Sequence, residues 1–145
     1  MTQFPNGPGD SPGFLMWRIT LRWQRAVAEA LRPLELTHVQ FVLLATTWWL
    51  NQQDQKPNQL AIAATADTDV KMTSEILRKL ADRGLLVQRA DPNDGRAKLI
   101  VVTAQGSALA KRAIVVVETV DAEFFAGAPA SLIPALKHLA RLDPS

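Results

Sequence analysis

The chain has 145 residues and is 48% hydrophobic, which fits one domain with a substantial core. Its 16 basic and 14 acidic residues leave a net charge of only +2, and the lack of cysteine excludes disulfides, thiol-based redox sensing and cysteine-ligated zinc. No apolar run approaches the roughly 18 residues of a membrane span, and the first residues lack the regions of a signal peptide. We therefore expect a soluble, cytoplasmic protein.

The N-terminal segment changes character near residue 14. Residues 1–13 contain three prolines and three glycines, which predicts a flexible arm. From Leu15 to Leu31 apolar residues recur at helical spacing, opposite a face that carries Arg18, Arg22 and Arg25. This pattern predicts an amphipathic helix over 14–31, ended by the following proline.

The next predicted helix begins after Thr37 and runs to about Leu50. Thr37 and Gln40 have the spacing of a capping box, and Leu36 with Phe41 has that of a hydrophobic staple. The segment is apolar nearly all round, so we expect it to be central and buried.

Two short helices with a tight turn are predicted over 59–83. Asn58 and Asp69 are good N-cap residues for helices over 59–66 and 70–83, and Gly84 suits the end of the second helix. The second helix has one buried stripe at helical spacing, formed by Thr73, Ile76, Leu77 and Leu80.

A hairpin is predicted directly after this pair of helices. Residues 85–89 and 98–102 are rich in β-branched and large apolar side chains, which favours strands. The eight residues between them, ADPNDGRA, contain two turn dipeptides and Arg96. The pattern predicts a two-stranded hairpin with a long polar tip.

The C-terminal part is predicted to form two helices, over 104–125 and 132–142, with Thr103 and Ser131 as N-caps. The first helix has a wider apolar face than a lone domain of this size would cover. Such a face indicates a partner surface, and a two-fold dimer is the simplest partner.

These elements predict a mainly α fold with a small β-hairpin wing. A winged helix-turn-helix lobe covers 37–103 within a single domain over 14–145. The segments 14–33 and 104–145 supply dimerisation helices on either side of the lobe.

Three motifs carry a family resemblance: LRKLADRGLL at 77–86, DPNDGRAK at 91–98 and VTAQG at 102–106. With them, about residues 15–142 resemble the multiple-antibiotic-resistance regulator (MarR) family. The resemblance implies a homodimer that binds double-stranded DNA at pseudo-palindromic operators and regulates transcription, in most cases as a repressor. It also implies that the second helix of the pair enters the major groove, and that the wing arginine enters the minor groove.

The predicted DNA contacts lie on the second helix and on the wing. Between residues 71 and 98 seven residues are basic and four are acidic, so positive charge is concentrated in this segment. For the polar residues of this helix, the alternative explanation is an ordinary surface face that only contacts water. The candidates are Lys71, Met72, Ser74, Glu75, Arg78, Arg89, Asp94, Arg96 and Lys98.

Two candidate positions depart from the family pattern. Many relatives have arginine or glutamine where this chain has Glu75, and a second basic residue where it has Gly95. The base preference of the helix is therefore not carried over. The departures leave open a second hypothesis, a winged-helix module for protein interactions with little specific DNA binding.

The four tryptophans suit either core packing or a ligand site. The resemblance implies a crevice between the dimer helices and the DNA-binding lobe that takes small aromatic or anionic effectors. The residues predicted to line it are Trp17, Arg25, His38, Trp48 and Trp49.

Enzyme and metal motifs are absent from the sequence. It has no glycine-rich phosphate loop, no HExxH or GxSxG motif, and no metal-ligand spacing around His38 or His138. We expect no catalytic site, metal or cofactor.

Overall fold

The computed structural model describes residues 3–142, and the side chains of all of these except Ala97. It confirms the predicted fold class, mainly α-helical with one antiparallel hairpin. Short 3-10 turns precede and follow the first helix, at Pro8–Asp10 and Arg32–Leu34. The elements in chain order are α1 (Pro12–Leu31), α2 (His38–Gln52), α3 (Gln59–Ala66), α4 (Val70–Asp82), β1 (Leu86–Asp91), β2 (Asp94–Val102), α5 (Ala104–Phe124) and α6 (Leu132–Leu139).

Helix α1 begins two residues earlier than predicted. Ser11 Oγ accepts a hydrogen bond from the Phe14 amide at 3.2 Å, and Pro12 occupies the first helical position. A proline is well placed there because the first helical amide has no partner within the helix. The predicted mobility of residues 1–13 stays a prediction, and its first two residues lie outside the described part of the chain.

Helix α2 is the central element, as predicted. Its capping box is confirmed: Thr37 Oγ1 accepts from the Gln40 amide at 3.2 Å, and Gln40 Oε1 accepts from the Thr37 amide at 3.0 Å. The helix packs against α1, α3, α4, α5 and β2, and Leu43 and Leu44 are fully buried.

The core lies between α2, α4, α5 and the base of the hairpin. The apolar stripe predicted for α4 is buried, including the Thr73 side chain. Burial of this stripe fixes the rotation of α4, so its other face is turned to solvent. The core cluster comprises Val27, Leu31, Leu36, Leu43, Leu44, Leu50, Ile62, Ile76, Leu77, Leu80, Leu85, Leu86, Ile100, Ala110, Ala113 and Val117.

The long polar tip predicted for the hairpin is confirmed in part, because regular pairing ends at Ala90↔Lys98 and one further pair, Asp91↔Asp94, forms close to the turn. The strands pair regularly and antiparallel from Leu86↔Val102 to Ala90↔Lys98, and the register then shifts by three residues, so that Asp91 faces Asp94 across Pro92 and Asn93 and residues 95–97 have no partner on β1. Side-chain hydrogen bonds explain the difference. Asp91 Oδ1 accepts from the Asn93 amide at 2.8 Å, and Asp94 Oδ1 accepts from the Arg96 amide at 3.1 Å. Aspartates stabilise tight turns in this way.

The predicted cap of α5 is confirmed, since Thr103 Oγ1 accepts from the Gly106 amide at 3.0 Å. The predicted cap and end of α6 are wrong. Ser131 already has helical backbone angles and its side chain makes no capping bond. Arg141 adopts the left-handed conformation, with φ 59°, which ends the helix before Leu142. Residues 143–145 of the predicted domain lie outside the described part.

Within residues 3–142 no helix is both long enough and apolar enough to cross a membrane.

Candidate nucleic-acid interface

The turn between α3 and α4 is held by hydrogen bonds on both sides. Asp67 ends α3 in the left-handed conformation, and the Thr68 amide donates to the Ala63 carbonyl at 2.9 Å. The Thr68 and Thr73 hydroxyls are 2.7 Å apart, and Thr73 is fully buried. Asp69 accepts from the Met72 amide at 2.8 Å and caps α4. The angle between the two helices is therefore fixed by polar contacts as well as by the core.

The outward face of α4 carries five of the predicted DNA contacts. Lys71, Met72, Glu75 and Arg78 are exposed, and Ser74 is half-buried. This distribution follows from the burial of the opposite stripe.

A groove of about 570 Å³ runs between α3, α4 and the hairpin. It brings together five predicted site residues, two from α4 and three from β2: Ser74, Arg78, Asp94, Arg96 and Lys98. Lys71, Met72 and Glu75 lie on the face of α4 outside this groove, and Arg89 is exposed on β1 without lining it. The structure thus joins the helix and the wing into one concave surface.

Sequence reasoning missed the contribution of α3 to this groove. Asn58, Gln59 and Leu60 line it, as do Gln88 and Ile100 of the hairpin. Asn58 was recognised only as a helix cap, and it does accept from the Ala61 amide at 2.9 Å. Leu60 is a large apolar residue that is 58% exposed, outside the buried face of its helix. An apolar residue at such a position is the signal that could have identified it as part of a binding surface.

The three cations of the groove have no partner among the described residues. No hydrogen bond or ion pair to another described residue engages the side chains of Arg78, Arg96 or Lys98. Asp94 bonds the backbone amide of Arg96 and leaves its guanidinium free. Unpaired cations in a concave surface attract polyanions.

The predicted effector residues are not brought together within one protomer. Trp17 is 64% exposed on α1 and Trp49 is 52% exposed on α2, and Arg25 is also exposed. Trp48 is half-buried, and its Nε1 donates to Ser107 Oγ at 3.2 Å. None of the five lines the groove. Their effector role stays a prediction.

His38 belongs to a cluster that the sequence did not indicate. Its ring makes an edge contact with the Trp23 ring, with centroids 4.9 Å apart, and Trp23 Nε1 donates to Asp121 Oδ1 at 2.7 Å. Burial lowers the pKa of His38, and the nearby Asp121 carboxylate partly opposes that shift. The cluster joins α1, α2 and α5. No group of three His, Asp or Glu residues that could hold a metal ion occurs among residues 3–142.

A second cleft of about 320 Å³ lies where the α1–α2 corner meets the start of α5. Arg83 lines it and donates to the Glu35 carbonyl at 2.7 Å. This bond ties the end of α4 to the α1–α2 corner.

Large apolar side chains are exposed at both ends of the chain. Helix α6 buries none of its residues, and Leu139 is 72% exposed. The first half of α1 is similar, with exposed Phe14, Leu15, Met16, Trp17 and Ile19. An apolar surface of this extent indicates a partner.

Comparison with known proteins decides the family. The model of the MarR family matches residues 36–98. The uncharacterized HTH-type transcriptional regulator YdcH of Bacillus subtilis (strain 168) is 38% identical over 123 residues, which are 85% of this chain and 84% of that protein. The chain belongs to the MarR family. The resemblance found in the sequence is therefore confirmed.

Two further proteins are similar to this chain over most of its length. The HTH-type transcriptional repressor Rv2887 of Mycobacterium tuberculosis is 35% identical over 118 residues, 81% of this chain and 82% of that protein. The crystal structure of CouR from Rhodococcus jostii RHA1, bound to p-coumaroyl-CoA, is 28% identical and superimposes with a TM-score of 0.83 over 99% of this chain and 98% of that chain. The two curated relatives are named as transcriptional regulators, a class of proteins that are not enzymes.

Proposed function

We propose that this MarR-family chain is a transcription regulator, in most settings a repressor, that binds a pseudo-palindromic DNA operator as a homodimer. The observation that carries the proposal is the groove between α4 and the hairpin, with Arg78, Arg96 and Lys98 free of partners among the described residues. A relative named as a repressor supports the sign of regulation. Because its target is chromosomal DNA, the proposal includes a cytoplasmic location.

In this proposal α4 enters the major groove, which has the width to admit a helix and presents a distinct pattern for each base pair. Lys71, Ser74 and Arg78 donate to base edges or phosphates, and Met72 packs on a thymine methyl. Glu75 repels phosphate unless it accepts from a cytosine amino group. It therefore acts in this proposal as a selector against sequences that lack such a donor.

The wing supplies the second set of contacts. Arg96 lies beside the tight Pro92–Asn93 turn, and Asp94 holds its backbone amide. In this proposal Arg96 enters the minor groove, while Lys98 and Arg89 contact phosphates. Gly95 adds no charge to the tip, so the wing depends on Arg96 more than a wing with two basic residues does.

The exposed apolar faces support the dimer. A two-fold axis that buries the first half of α1 and the whole of α6 would remove both faces from water. It would also present two copies of α4 to successive turns of the duplex, which is the arrangement that a pseudo-palindrome requires.

An effector is part of the proposal. CouR is described as bound to p-coumaroyl-CoA, which is both aromatic and anionic. We keep Trp17, Arg25, His38, Trp48 and Trp49 as the candidate effector residues, because four have aromatic rings and the fifth is a cation. Such a ligand alters DNA affinity only if it binds one spacing of the two α4 helices better than another.

The alternative of a protein-interaction module has no support from the relatives described above, whose names are those of transcriptional regulators. The two functions differ in their salt dependence. DNA binding through several phosphates weakens steeply as salt rises, because condensed counterions are released.

The test is fluorescence anisotropy of the purified protein on duplexes from its own upstream region, at two salt concentrations. Arg96→Ala is the diagnostic variant. Lys111→Ala is the matched control, because Lys111 is an exposed cation on α5 that does not line the groove.

The proposal predicts that the protein binds DNA in a salt-sensitive, sequence-selective way. It also predicts that Arg96→Ala weakens this binding roughly tenfold and that Lys111→Ala leaves it unchanged. Equal weakening by both variants shows that only net charge matters. Absence of binding at low salt in the wild type overturns the DNA-binding role.

A further inference from the structure

The outer edge of the wing is closed by the connection between α2 and α3. Strand β2 pairs with β1 on one side. On its other side the Ile100 amide donates to the Pro57 carbonyl at 2.8 Å. The Val102 amide donates to Asn51 Oδ1 at 2.9 Å, and Asn51 Nδ2 donates to the Ile100 carbonyl at 3.3 Å. Three consecutive edge groups of β2 are therefore paired.

The Asn51 carboxamide acts here as a neighbouring strand would. A carboxamide offers one carbonyl acceptor and an NH₂ donor in a plane, as a peptide group does. It takes the Val102 donor and the Ile100 acceptor together, which is the pairing that an added strand provides. No other side chain in the described part of the chain bonds this edge of β2.

The same side chain, in the last turn of α2, also holds the connection that follows it. Asn51 Nδ2 also donates to the Gln55 carbonyl at 3.0 Å, and the Gln55 amide donates to the Leu50 carbonyl at 3.1 Å. Leu50 is buried in the core. Asn51 therefore connects the hairpin to the end of α2 through groups that are themselves fixed.

Asn51 bonds the base of the wing, so a small rotation of the hairpin there becomes a larger displacement at the wing tip. Lys98, the last regularly paired residue of β2, is four positions from Val102, a span of about 13 Å along an extended strand, and Arg96 lies beyond it. A rotation of about 10° at the end held by Asn51 would move Lys98 by about 2 Å. A displacement of that size breaks a hydrogen bond. Arg96 and Lys98 would therefore lose their contacts with a ligand that α4 still binds.

We infer that Asn51 is a positioning residue for DNA recognition: its carboxamide fixes the angle between α2 and the hairpin so that Arg96 and Lys98 face the same ligand as Ser74 and Arg78. This inference rests on the proposed function for its DNA readout, but the fixed wing angle is a property of the free protein. The two parts are measured separately.

The diagnostic variant is Asn51→Ala, which removes both edge bonds and the Gln55 bond. Asn51→Asp keeps the acceptor for Val102 and removes the donors, so its effect is intermediate. Thr37→Ala is the matched control, because it removes the cap at the far end of the same helix and costs about 1 kcal/mol. Chemical denaturation of each variant shows that it is folded.

The free protein is tested first. The chain has no cysteine, so Ala64→Cys and Gly95→Cys introduce a unique pair of spin labels, one on exposed α3 and one at the open wing tip. Labelled chain is diluted with unlabelled chain. The distance distribution is expected to broaden with Asn51→Ala and to stay narrow with Thr37→Ala. Hydrogen exchange of the Val102 amide with solvent is expected to accelerate at least tenfold in the Asn51→Ala variant. Unchanged distributions overturn the inference whether or not the protein binds DNA.

The DNA readout is a double-mutant cycle between Asn51 and Arg96. In the wild-type background Arg96→Ala weakens operator binding roughly tenfold. In the Asn51→Ala background the same change is expected to weaken operator binding less than threefold, because the wing is already misplaced. Asn51→Ala alone is expected to reduce the salt dependence of binding as Arg96→Ala does. Additive effects, or the same loss with Thr37→Ala, overturn the positioning role. If the wild type binds no DNA, the proposed function fails, and the spin-label distances decide the inference.

Discussion

Gly106 in the first turn of α5 lies against the backbone of Leu85 at the start of the hairpin. A Cβ atom on residue 106 would overlap the Leu85 carbonyl oxygen and lie 2.8 Å from its carbonyl carbon. The Leu85 carbonyl also accepts from the Thr103 amide at 3.0 Å, and the Gly84 carbonyl accepts from Thr103 Oγ1 at 2.7 Å. The end of α4, the base of the wing and the start of α5 meet at this point with no room for a side chain.

Gly106→Ala is therefore expected to destabilise the fold. Backbone atoms cannot give way as the end of a flexible side chain can, so α5 must move away from the hairpin. We expect a loss of about 2 kcal/mol or more in the free energy of unfolding, measured by urea denaturation. Gly127→Ala is the control, since a Cβ there would meet nothing within 4 Å. Equal stability of the two variants would show that the close approach is not rigid.

The hydroxyl pair in the helix-turn-helix turn gives a second prediction. Thr73→Val keeps the shape of a buried side chain but leaves Thr68 Oγ1 without its partner, which is expected to cost about 1–2 kcal/mol. The double variant Thr68→Val with Thr73→Val removes both polar groups and is expected to recover most of that loss. A cycle of the four proteins by thermal or urea denaturation measures the coupling. Additive losses would show that the two hydroxyls do not interact.

The pKa of His38 predicts a pH dependence of stability. Burial lowers this pKa below its ordinary value of 6.5, so the unfolded chain binds a proton that the folded chain resists. Unfolding is then favoured as pH falls below 6.5, and the contribution of neutral His38 is complete above that pH. We expect the difference in unfolding free energy between wild type and His38→Gln to be constant above pH 7 and to shrink as pH falls from 6.5. A difference that does not vary with pH would contradict the shift.

The exposed apolar face of α6 predicts the effect of a charge placed there. Leu139 is 72% exposed within one protomer, so Leu139→Asp is expected to leave the fold of a protomer intact and to dissociate a dimer that uses this face. Sedimentation equilibrium at micromolar concentration measures the result. Lys137→Gln on the same helix is the control, because it also lowers the net charge by one unit. A wild type that is monomeric at that concentration would contradict the two-fold assembly.

Local features of the fold were predictable because each depends on residues within one turn of helix. The caps at Thr37, Asn58, Asp69 and Thr103 were identified from short polar side chains three positions before a free amide, and all four bonds are present. Ser131 has the same residue type but helical backbone angles, so the chain had already entered the helix. Residue type alone does not reveal that difference.

The hairpin shows where pattern reading lost accuracy. Asp91, Pro92, Asp94 and Gly95 are all turn residues, and four of them in five positions predicted a long loop. In the structure the aspartates bond amides of the tip and face each other across a tight turn, although residues 95–97 leave the regular register. Strand pairing is cooperative between segments, so it overrides the local preference of individual residues.

Most of the helices, four of their caps, the buried stripe of α4 and the resemblance to the MarR family could be read from the sequence, because periodicity and capping are encoded within a few neighbouring residues. Which side chains share a surface depends on packing between elements that are distant in the sequence. The Asn51 bond to Val102 spans 51 positions and the Trp23 bond to Asp121 spans 98. Asn58, Gln59 and Leu60 join the groove only because α3 packs beside α4 and β2. Contacts of this kind depend on how the core packs, and no local pattern records them.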